Sequence, residues 1–284
     1  MAVFTNQATL RYNDTTINSN IAVGEILEVL SMTKTAVRGV YGPGQDVAYV
    51  ISLVNAGSAP FTGLTITDDL GGYTAGGATV YPLTYAEGSI RYYINGTLQP
   101  VPVVTAGPPM TISGITVPAG GNVTLIYEAF TNAFAPLNVE GTIVNTVSAA
   151  GGGLSTPVTA TETITAQSGP QLSITKSLSP ATVAENGRIT YTFLIQNTGN
   201  TEAAATDDVV MTDLFNPILS NLTVTFNGTL LTEGADYTYN EITGAFATLP
   251  GTITVPAATY TQDIQTGQWV VTPGTAVLTV TGTV

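Results

Sequence analysis

The chain has 284 residues, a formal net charge of −13 and no cysteine or histidine. The acidic balance argues against nucleic-acid binding, which needs a basic surface, and the missing residue types exclude disulfides, thiolate metal sites and the commonest general base. With 44% hydrophobic and 9% charged residues, the chain can bury one large core or two ordinary ones.

The secondary structure that the sequence predicts is almost entirely β. Thr and Val dominate, polar and apolar residues alternate with period two, and turn residues recur at short intervals. Asn95-Gly96 and Asn227-Gly228 lie between strand-like runs and predict tight hairpins. We therefore expect an all-β chain.

The sequence contains an internal duplication. LSMTKTA from Leu30 matches LSITKSL from Leu172, and YVISLVNAGS from Tyr49 matches YTFLIQNTGN from Tyr191, at the same spacing of half the chain. Further pairs follow in the same order: TITDDL with VMTDLF, NGTL twice and ITVPA twice. Ordered matches of this kind predict two copies of one domain.

These motifs resemble the conserved repeat domain of prokaryotic surface proteins, a family labelled only as a domain of unknown function. Its pattern is a first strand ending in Thr-Lys, then Gly…Tyr…Asn-x-Gly, then Thr-Asp, then an Asn-Thr-Ala-like last pair of strands. The resemblance covers nearly all of the chain. It implies immunoglobulin-like β-sandwiches in an extracellular or surface structure, without catalytic activity.

The two copies differ at their ends. In the first copy, residues 141–166 form a predicted closing hairpin, whereas the second copy stops at LTVTGTV without one. Residues 1–26 precede LSMTKTA as that closing hairpin precedes LSITKSL. We interpret residues 1–26 as a donor hairpin. Domain 1 (residues 27–166) and an incomplete domain 2 (residues 167–284) follow it.

The donor hairpin predicts how copies of the chain associate. If it completes domain 2 of another copy by donor-strand complementation, the contact is head-to-tail and does not close, so a filament forms. We expect its core contacts to be Phe4, Ala8, Leu10, Ile21 and Val23. Two alternatives stay open: the hairpin folds back on its own chain, or the ends are trimmed or disordered.

The only two lysines, Lys34 and Lys176, lie at equivalent positions of the two copies. Because side chains alternate along a strand, each lysine shares a face with apolar neighbours. The same phase test, which asks whether a residue shares a strand face with apolar neighbours, places an aspartate of each middle strand and an asparagine of each last strand on the inward face. The apolar neighbours are Leu30 and Met32 for Lys34, and Leu172, Ile174 and Leu178 for Lys176. The inward-facing polar residues are Asp68, Asp213, Asn145 and Asn6.

This set resembles the Lys–Asp–Asn arrangement of self-formed isopeptide bonds in Gram-positive pilins and adhesins. The resemblance implies a bond from Lys34 to Asn145 assisted by Asp68, and one from Lys176 to Asn6 of the next subunit assisted by Asp213. A desolvated amine would attack the carboxamide while a buried acid polarises it. From the residues alone, a Lys–Asp ion pair or a snorkelling lysine remains the alternative.

The remaining patterns point away from chemistry on a substrate. Residues 258–272 form an insertion relative to the first copy, contain Trp269 and predict an extra hairpin. No nucleotide loop, nucleophile elbow or catalytic triad occurs, so we expect neither an enzyme nor a cofactor or metal site.

The expected function is that of a structural subunit of an extracellular bacterial filament. The main partner would be the chain itself, with an anchor protein or a host or matrix ligand left unidentified. No signal-peptide pattern or apolar run of membrane-spanning length occurs, so we expect no membrane insertion, and release from a mother cell onto a spore surface is the expected route. The rival interpretations are an adhesin of immunoglobulin-like repeats and a surface-layer protein.

Overall fold

The computed structural model describes residues 2–284, with side chains from Val3 onward. Within this range the chain forms 28 strands and one short 3-10 helix, Ala205–Asp207. The all-β prediction is confirmed. None of the described residues forms a helix that could cross a membrane.

The N-terminal hairpin consists of β1 (Ala2–Asn6), β2 (Thr9–Tyr12), β3 (Thr15–Asn18) and β4 (Ala22–Ile26). β1 pairs with β4 and β2 pairs with β3, both antiparallel, around a turn at Asn13 and Asp14. Every side chain from Val3 to Val23 is exposed. Met1, the first residue of the predicted donor hairpin, lies outside the described residues.

The chain divides into two compact units. Unit 1 comprises residues 1–135 and 142–165, and unit 2 comprises residues 136–141 and 166–284. Besides the N-terminal hairpin, the strands of unit 1 are β5 (Leu30–Ala36), β6 (Val40–Tyr41), β7 (Asp46–Asn55), β8 (Phe61–Asp68), β9 (Tyr73–Ala75), β10 (Ala78–Val80), β11 (Leu83–Tyr85), β12 (Arg91–Ile94), β13 (Thr97–Gln99), β14 (Val103–Thr105), β15 (Met110–Val117), β16 (Asn122–Thr131), β17 (Thr142–Gly151) and β18 (Val158–Ala166).

Two six-stranded sheets build unit 1. The first has the order β13-β12-β16-β7-β5, with β11 also on β16, and the second has the order β14-β15-β8-β17-β18-β6. Side chains of β7 and β16 alternate between buried and more exposed positions, as the period-two pattern predicts. Fully buried residues from both sheets form the core: Tyr49, Ile51, Leu53, Leu64, Ile66, Ile112, Leu125, Tyr127 and Val147.

Unit 2 repeats part of this plan. Its strands are β19 (Leu172–Ser179), β20 (Arg188–Asn197), β21 (Thr212–Leu214), β22 (Ser220–Phe226), β23 (Thr229–Leu230), β24 (Tyr237–Tyr239), β25 (Ala245–Thr248), β26 (Thr259–Gln262), β27 (Trp269–Thr272) and β28 (Gly274–Thr283). The sheets have the orders β19-β20-β28-β22-β23 and β21-β25-β24, and β26 pairs with β27.

The hairpins predicted from the sequence are present. Ile94 pairs with Thr97 and Phe226 pairs with Thr229 across the two Asn-Gly turns. Asn95 and Asn227 have positive φ angles, which the tight hairpin turn requires. The insertion around Trp269 also forms the expected extra hairpin, β26–β27.

The units differ in the second sheet. In unit 1, β17 pairs with β8, and β18 and β6 continue the sheet beyond it. In unit 2, β21 carries the aspartate equivalent to Asp68 but pairs only with β25, so within residues 2–284 no strand covers its other edge.

This difference corrects one sequence-based expectation. Leu172, Ile174 and Leu178, predicted to face a core with Lys176, are exposed. In the described chain no strand lies where β17 and β18 would cover them.

Candidate cross-link sites and an open groove

A buried ion pair lies at the centre of unit 1. β5 alternates buried and exposed residues, which turns Lys34 into the core, and β8 brings Asp68 to the same place. Lys34 Nζ lies 2.7 Å from Asp68 Oδ2, and both side chains are fully buried. Burial lowers the pKa of Lys34 from its ordinary value even though Asp68 opposes the shift.

Tyr127 on β16 connects this pair to Asn145 on β17. Its hydroxyl donates to Asp68 Oδ2 at 2.6 Å and accepts from Asn145 Nδ2 at 3.3 Å. Asn145 Oδ1 is buried and has no hydrogen-bond partner among the described residues. The three residues predicted for domain 1 therefore meet in one buried cluster, which we call the Lys34 cluster: Lys34, Asp68, Tyr127 and Asn145.

Tyr127 is not among the site residues predicted from the sequence, which were lysines, acids and amides. Tyr127 alternates with Val123 and Leu125, both fully buried, so the phase test would have turned its hydroxyl toward the core.

Aromatic rings form the wall of the Lys34 cluster. Tyr49 stacks on Tyr127 with ring centroids 5.5 Å apart, and Lys34 Nζ lies 4.8 Å from the Tyr49 centroid. That distance suits a cation–π contact. Burial raises the pKa of both tyrosines, so their hydroxyls stay protonated at neutral pH.

Asp69 fastens β17 beside the cluster. Its carboxylate accepts hydrogen bonds from the backbone N–H groups of Thr146 and Gly71, each at 2.9 Å. The Asp69 N–H in turn donates to the Thr146 carbonyl at 3.0 Å. Burial raises the pKa of Asp69, while these two N–H donors act against the shift. The clasp fixes the residue next to Asn145 and so fixes where the Asn145 side chain lies.

Unit 2 holds the equivalent pair in a more open setting. Lys176 Nζ contacts Asp213 Oδ2 and lies 4.4 Å from the ring centroid of Tyr191 and 5.3 Å from that of Phe215. The Lys176 side chain is 40% exposed and that of Asp213 is 17% exposed. The pair therefore forms without the burial that surrounds Lys34.

An apolar groove opens beside this pair. A cavity of about 430 Å³ lies between β19 and β21, and a second of about 850 Å³ is lined mainly by β21, β25 and β24. The lining of the first is mainly apolar or aromatic and includes Leu172, Ile174, Phe193, Val209, Met211 and Ile253. The lining of the second is mixed, with Leu214, Tyr239 and Phe246 beside the polar residues Thr238 and Asn240. We call both cavities together the β21 groove.

The N-terminal hairpin presents Asn6 in a comparable strand pair. Asn6 pairs with Ala22 and Phe4 with Gly24, so their side chains share one face, and the Phe4 ring covers the Gly24 backbone. Val23 pairs with Thr5 and lies on the opposite face. Expecting Phe4 and Val23 to contact the same core is therefore inconsistent with the register. The other expected contacts, Ala8, Leu10 and Ile21, are exposed.

Neither a protein-family model nor a curated protein sequence matches this chain. Among solved structures, it is similar to the pilus backbone RrgB of Streptococcus pneumoniae, with 12% identity and a TM-score of 0.36 over 86% of this chain and 55% of that one. It is also similar to the major pilin subunit BcpA of Bacillus cereus, with 12% identity and a TM-score of 0.35 over 96% of this chain and 73% of that one.

A third similarity is to the collagen-binding domain of a Staphylococcus aureus adhesin, with 13% identity and a TM-score of 0.30 over 49% of this chain and 99% of that one. The chain spans about half the length of the pneumococcal pilus backbone. Because these TM-scores are low, the function proposed below rests on the geometry of the chain itself.

Proposed function

We propose that this protein is the structural subunit of an extracellular bacterial filament, in which the N-terminal hairpin of one copy completes unit 2 of the next. The observation that carries the proposal is the β21 groove. It lies at the edge of β21, the place that β17 takes beside β8 in unit 1. An uncovered strand edge and an apolar groove are costly in water, so an occupant is favoured.

The N-terminal hairpin is similar in size to the strand pair β17–β18, which has no counterpart in unit 2 among residues 2–284. β17 and β18 form eight residue pairs, and the N-terminal hairpin forms five pairs between β1 and β4 and four between β2 and β3. Each hairpin carries one asparagine in its first strand, Asn145 in one and Asn6 in the other. The apolar side chains of the N-terminal hairpin are exposed, so docking would bury them together with the β21 groove.

The proposed contact makes a thread because its two surfaces differ. The hairpin of each copy enters the β21 groove of another copy. A row of joined copies therefore keeps a free hairpin at one end and a free groove at the other, and further copies can bind there. Unit 1 does not compete for the hairpin, since β17 and β18 already cover the edge of β8. We extend the proposal to a filament on the surface of a bacterial cell or spore, which immunolabelling of intact cells and spores would test.

Covalent bonds would reinforce the thread. In unit 1, Lys34 Nζ would displace the amide nitrogen of Asn145, and between copies Lys176 would do the same to Asn6. Lys176 is partly exposed before docking, and docking would bring the Asn6 carboxamide of the next copy to it. The second bond would therefore form only after docking.

A matched pair of substitutions in the full chain tests the docking site. Leu214, in the β21 groove, and Leu230, on β23, are each 66% exposed. We expect Leu214→Glu to prevent filament formation, because docking would bury the new carboxylate, and Leu230→Glu to leave filaments intact. Electron microscopy and size-exclusion chromatography measure both. Filaments of Leu214→Glu indistinguishable from those of the unsubstituted chain would overturn the proposal.

Deleting residues 1–26 tests the donor. The shortened chain should stay monomeric, and a synthetic peptide of residues 1–26 should bind to it in isothermal titration calorimetry. The same peptide should shorten filaments of the full chain by occupying free grooves. If the shortened chain forms filaments as readily as the full one, the hairpin is not the donor.

A further inference from the structure

The hydroxyl of Tyr127 lies between the acid and the amide of the Lys34 cluster. Asp68 Oδ2 is 2.7 Å from Lys34 Nζ and 2.6 Å from the Tyr127 hydroxyl, and that hydroxyl is 3.3 Å from Asn145 Nδ2. The nitrogen that would attack and the nitrogen that would leave are thus connected through two oxygens. Asp68 Oδ1 is occupied by the Leu70 N–H at 3.1 Å, which leaves Oδ2 to exchange protons.

We propose that Tyr127 is a catalytic residue that relays the proton needed by the leaving amide nitrogen of Asn145. The inference rests on the Lys34–Asn145 bond proposed above and adds the route by which ammonia leaves. Without such a route the amide nitrogen would have to depart as an amide anion, which is a very poor leaving group.

The proton count of the proposed reaction closes within these four side chains. The Lys34 ammonium first gives one proton to the Asp68 carboxylate, and the neutral amine then attacks Asn145 Cγ. Asp68 passes its proton to the Tyr127 oxygen while the Tyr127 hydroxyl proton moves to Nδ2. The C–Nδ2 bond breaks, ammonia leaves, and Asp68 takes the second proton from Nζ. The products are the amide, ammonia and protonated Asp68, with no oxidant or other reactant.

The surroundings suit a phenol in this role. Lys34 and Asp68 are fully buried, so bulk water has no access to carry the proton. Burial raises the pKa of Tyr127, which keeps a proton on its oxygen to hand over. Stacking against Tyr49 and contact with the ring of Tyr85, 6.2 Å away, hold the Tyr127 ring in place.

Unit 2 offers an internal contrast. Tyr127 pairs with Tyr49 across β16 and β7, and in unit 2 the residue that pairs with Tyr191, the counterpart of Tyr49, is Val280. No phenol therefore occupies the Tyr127 position of unit 2.

The experiment follows bond formation during cell-free synthesis of the full chain carrying Asn6→Ala, which leaves only the unit 1 bond. Intact mass reports the loss of one ammonia, and peptide mapping reports the linked Lys34 and Asn145 fragments. Tyr127→Phe keeps the ring and should slow bond formation by about 100-fold, within the range for general acid–base catalysis. The control, Tyr92→Phe, removes a tyrosine hydroxyl outside the Lys34 cluster, where it donates to the Thr116 carbonyl, and should stay within about twofold of the parent rate.

The outcomes separate the relay from the bond itself. If the parent chain loses no ammonia, the proposed bond fails. If the parent chain and Tyr127→Phe react at the same rate, the bond stands and the relay is overturned. Thermal unfolding of the parent chain and of Tyr127→Phe, each carrying Asn145→Ala so that no bond forms, shows whether Tyr127→Phe folds. Should it not fold, fluorotyrosine at position 127 replaces it: a rate that does not change with the acidity of the phenol overturns the relay.

Discussion

Lys34 and Lys176 occupy equivalent strands and face equivalent aspartates, yet their surroundings are opposite. The Lys34–Asp68 pair is fully buried, whereas Lys176 is 40% and Asp213 17% exposed. The difference comes from β17 and β18, which complete the second sheet of unit 1 and have no counterpart beside β21 within residues 2–284. The burial of such a pair is therefore set by the strands that cover it.

The residue after each aspartate shows the same contrast. Asp69 accepts the backbone N–H of Thr146 and so holds β17 in place. The equivalent residue of unit 2, Leu214, is an exposed apolar side chain in the β21 groove. Unit 1 holds β17 with a polar clasp, whereas unit 2 presents an exposed apolar side chain at the equivalent position.

Removing the aspartate of each pair should give the largest difference in stability between the two units. Asp68→Ala prevents the proposed bond and leaves a buried lysine without its partner, so we expect unit 1 to lose about 3–5 kcal/mol of stability beyond the loss of the bond itself. Asp213→Ala removes a partly exposed pair and should cost about 1 kcal/mol or less. Urea denaturation of the two variants, made in the chain without residues 1–26 so that docking cannot cover Lys176, measures both, and equal losses would contradict the contrast in burial.

Removing the proposed bond alone gives the next largest effect. The link from Lys34 to Asn145 closes a loop of roughly 110 residues, for which chain entropy gives a stabilisation of about 5 kcal/mol. We expect Asn145→Ala to lower the free energy of unfolding of unit 1 by about that amount. Its intact mass should exceed that of the parent chain, after correction for the substitution, by one ammonia. A parent chain that already retains the ammonia would exclude the bond.

The sequence predicted the elements that depend on local pattern. Period-two alternation located the strands, Asn-Gly pairs located two hairpins, and the phase test brought Lys34, Asp68 and Asn145 together. Periodicity could not show that Leu172 and Ile174 are exposed, because it reports which residues share a face and not what covers that face.

The placement of Val23 shows a second limit of the sequence pattern. Two residues, Gln7 and Ala8, separate β1 from β2, whereas three residues separate β3 from β4. This irregularity shifts the phase of β4 relative to an unbroken hairpin. No residue type in the segment signals the shift, and an alternation count carried through it would pair Val23 with Phe4 and not with Thr5.

Asn6→Ala tests whether the second lysine reacts as the first is proposed to do. We expect filaments that still form, because the hairpin keeps its backbone and apolar contacts, but that fall to monomers when boiled in detergent. Asn20→Ala, in the same hairpin but outside its strands, should keep a ladder of boil-resistant species on the gel. A ladder that survives Asn6→Ala would show that a different residue makes the link.

The smallest predicted effect is a dependence of stability on pH in the Asn145→Ala chain, where Lys34 remains free to titrate. Burial lowers the folded-state pKa of Lys34 below the ordinary 10.5, so between those two values the unfolded chain binds more protons. The free energy of unfolding should therefore rise with pH across that window, by at most about 1.4 kcal/mol per pH unit. Above about pH 10 the trend should reverse, because the raised pKa values of Tyr49 and Tyr127 keep protons that the unfolded chain loses. Urea titrations from about pH 7 to pH 9.5 measure the slope, and adding Lys34→Met should flatten it, because that substitution removes the titrating amine. An unchanged slope in the double variant would show that Lys34 is not the titrating group.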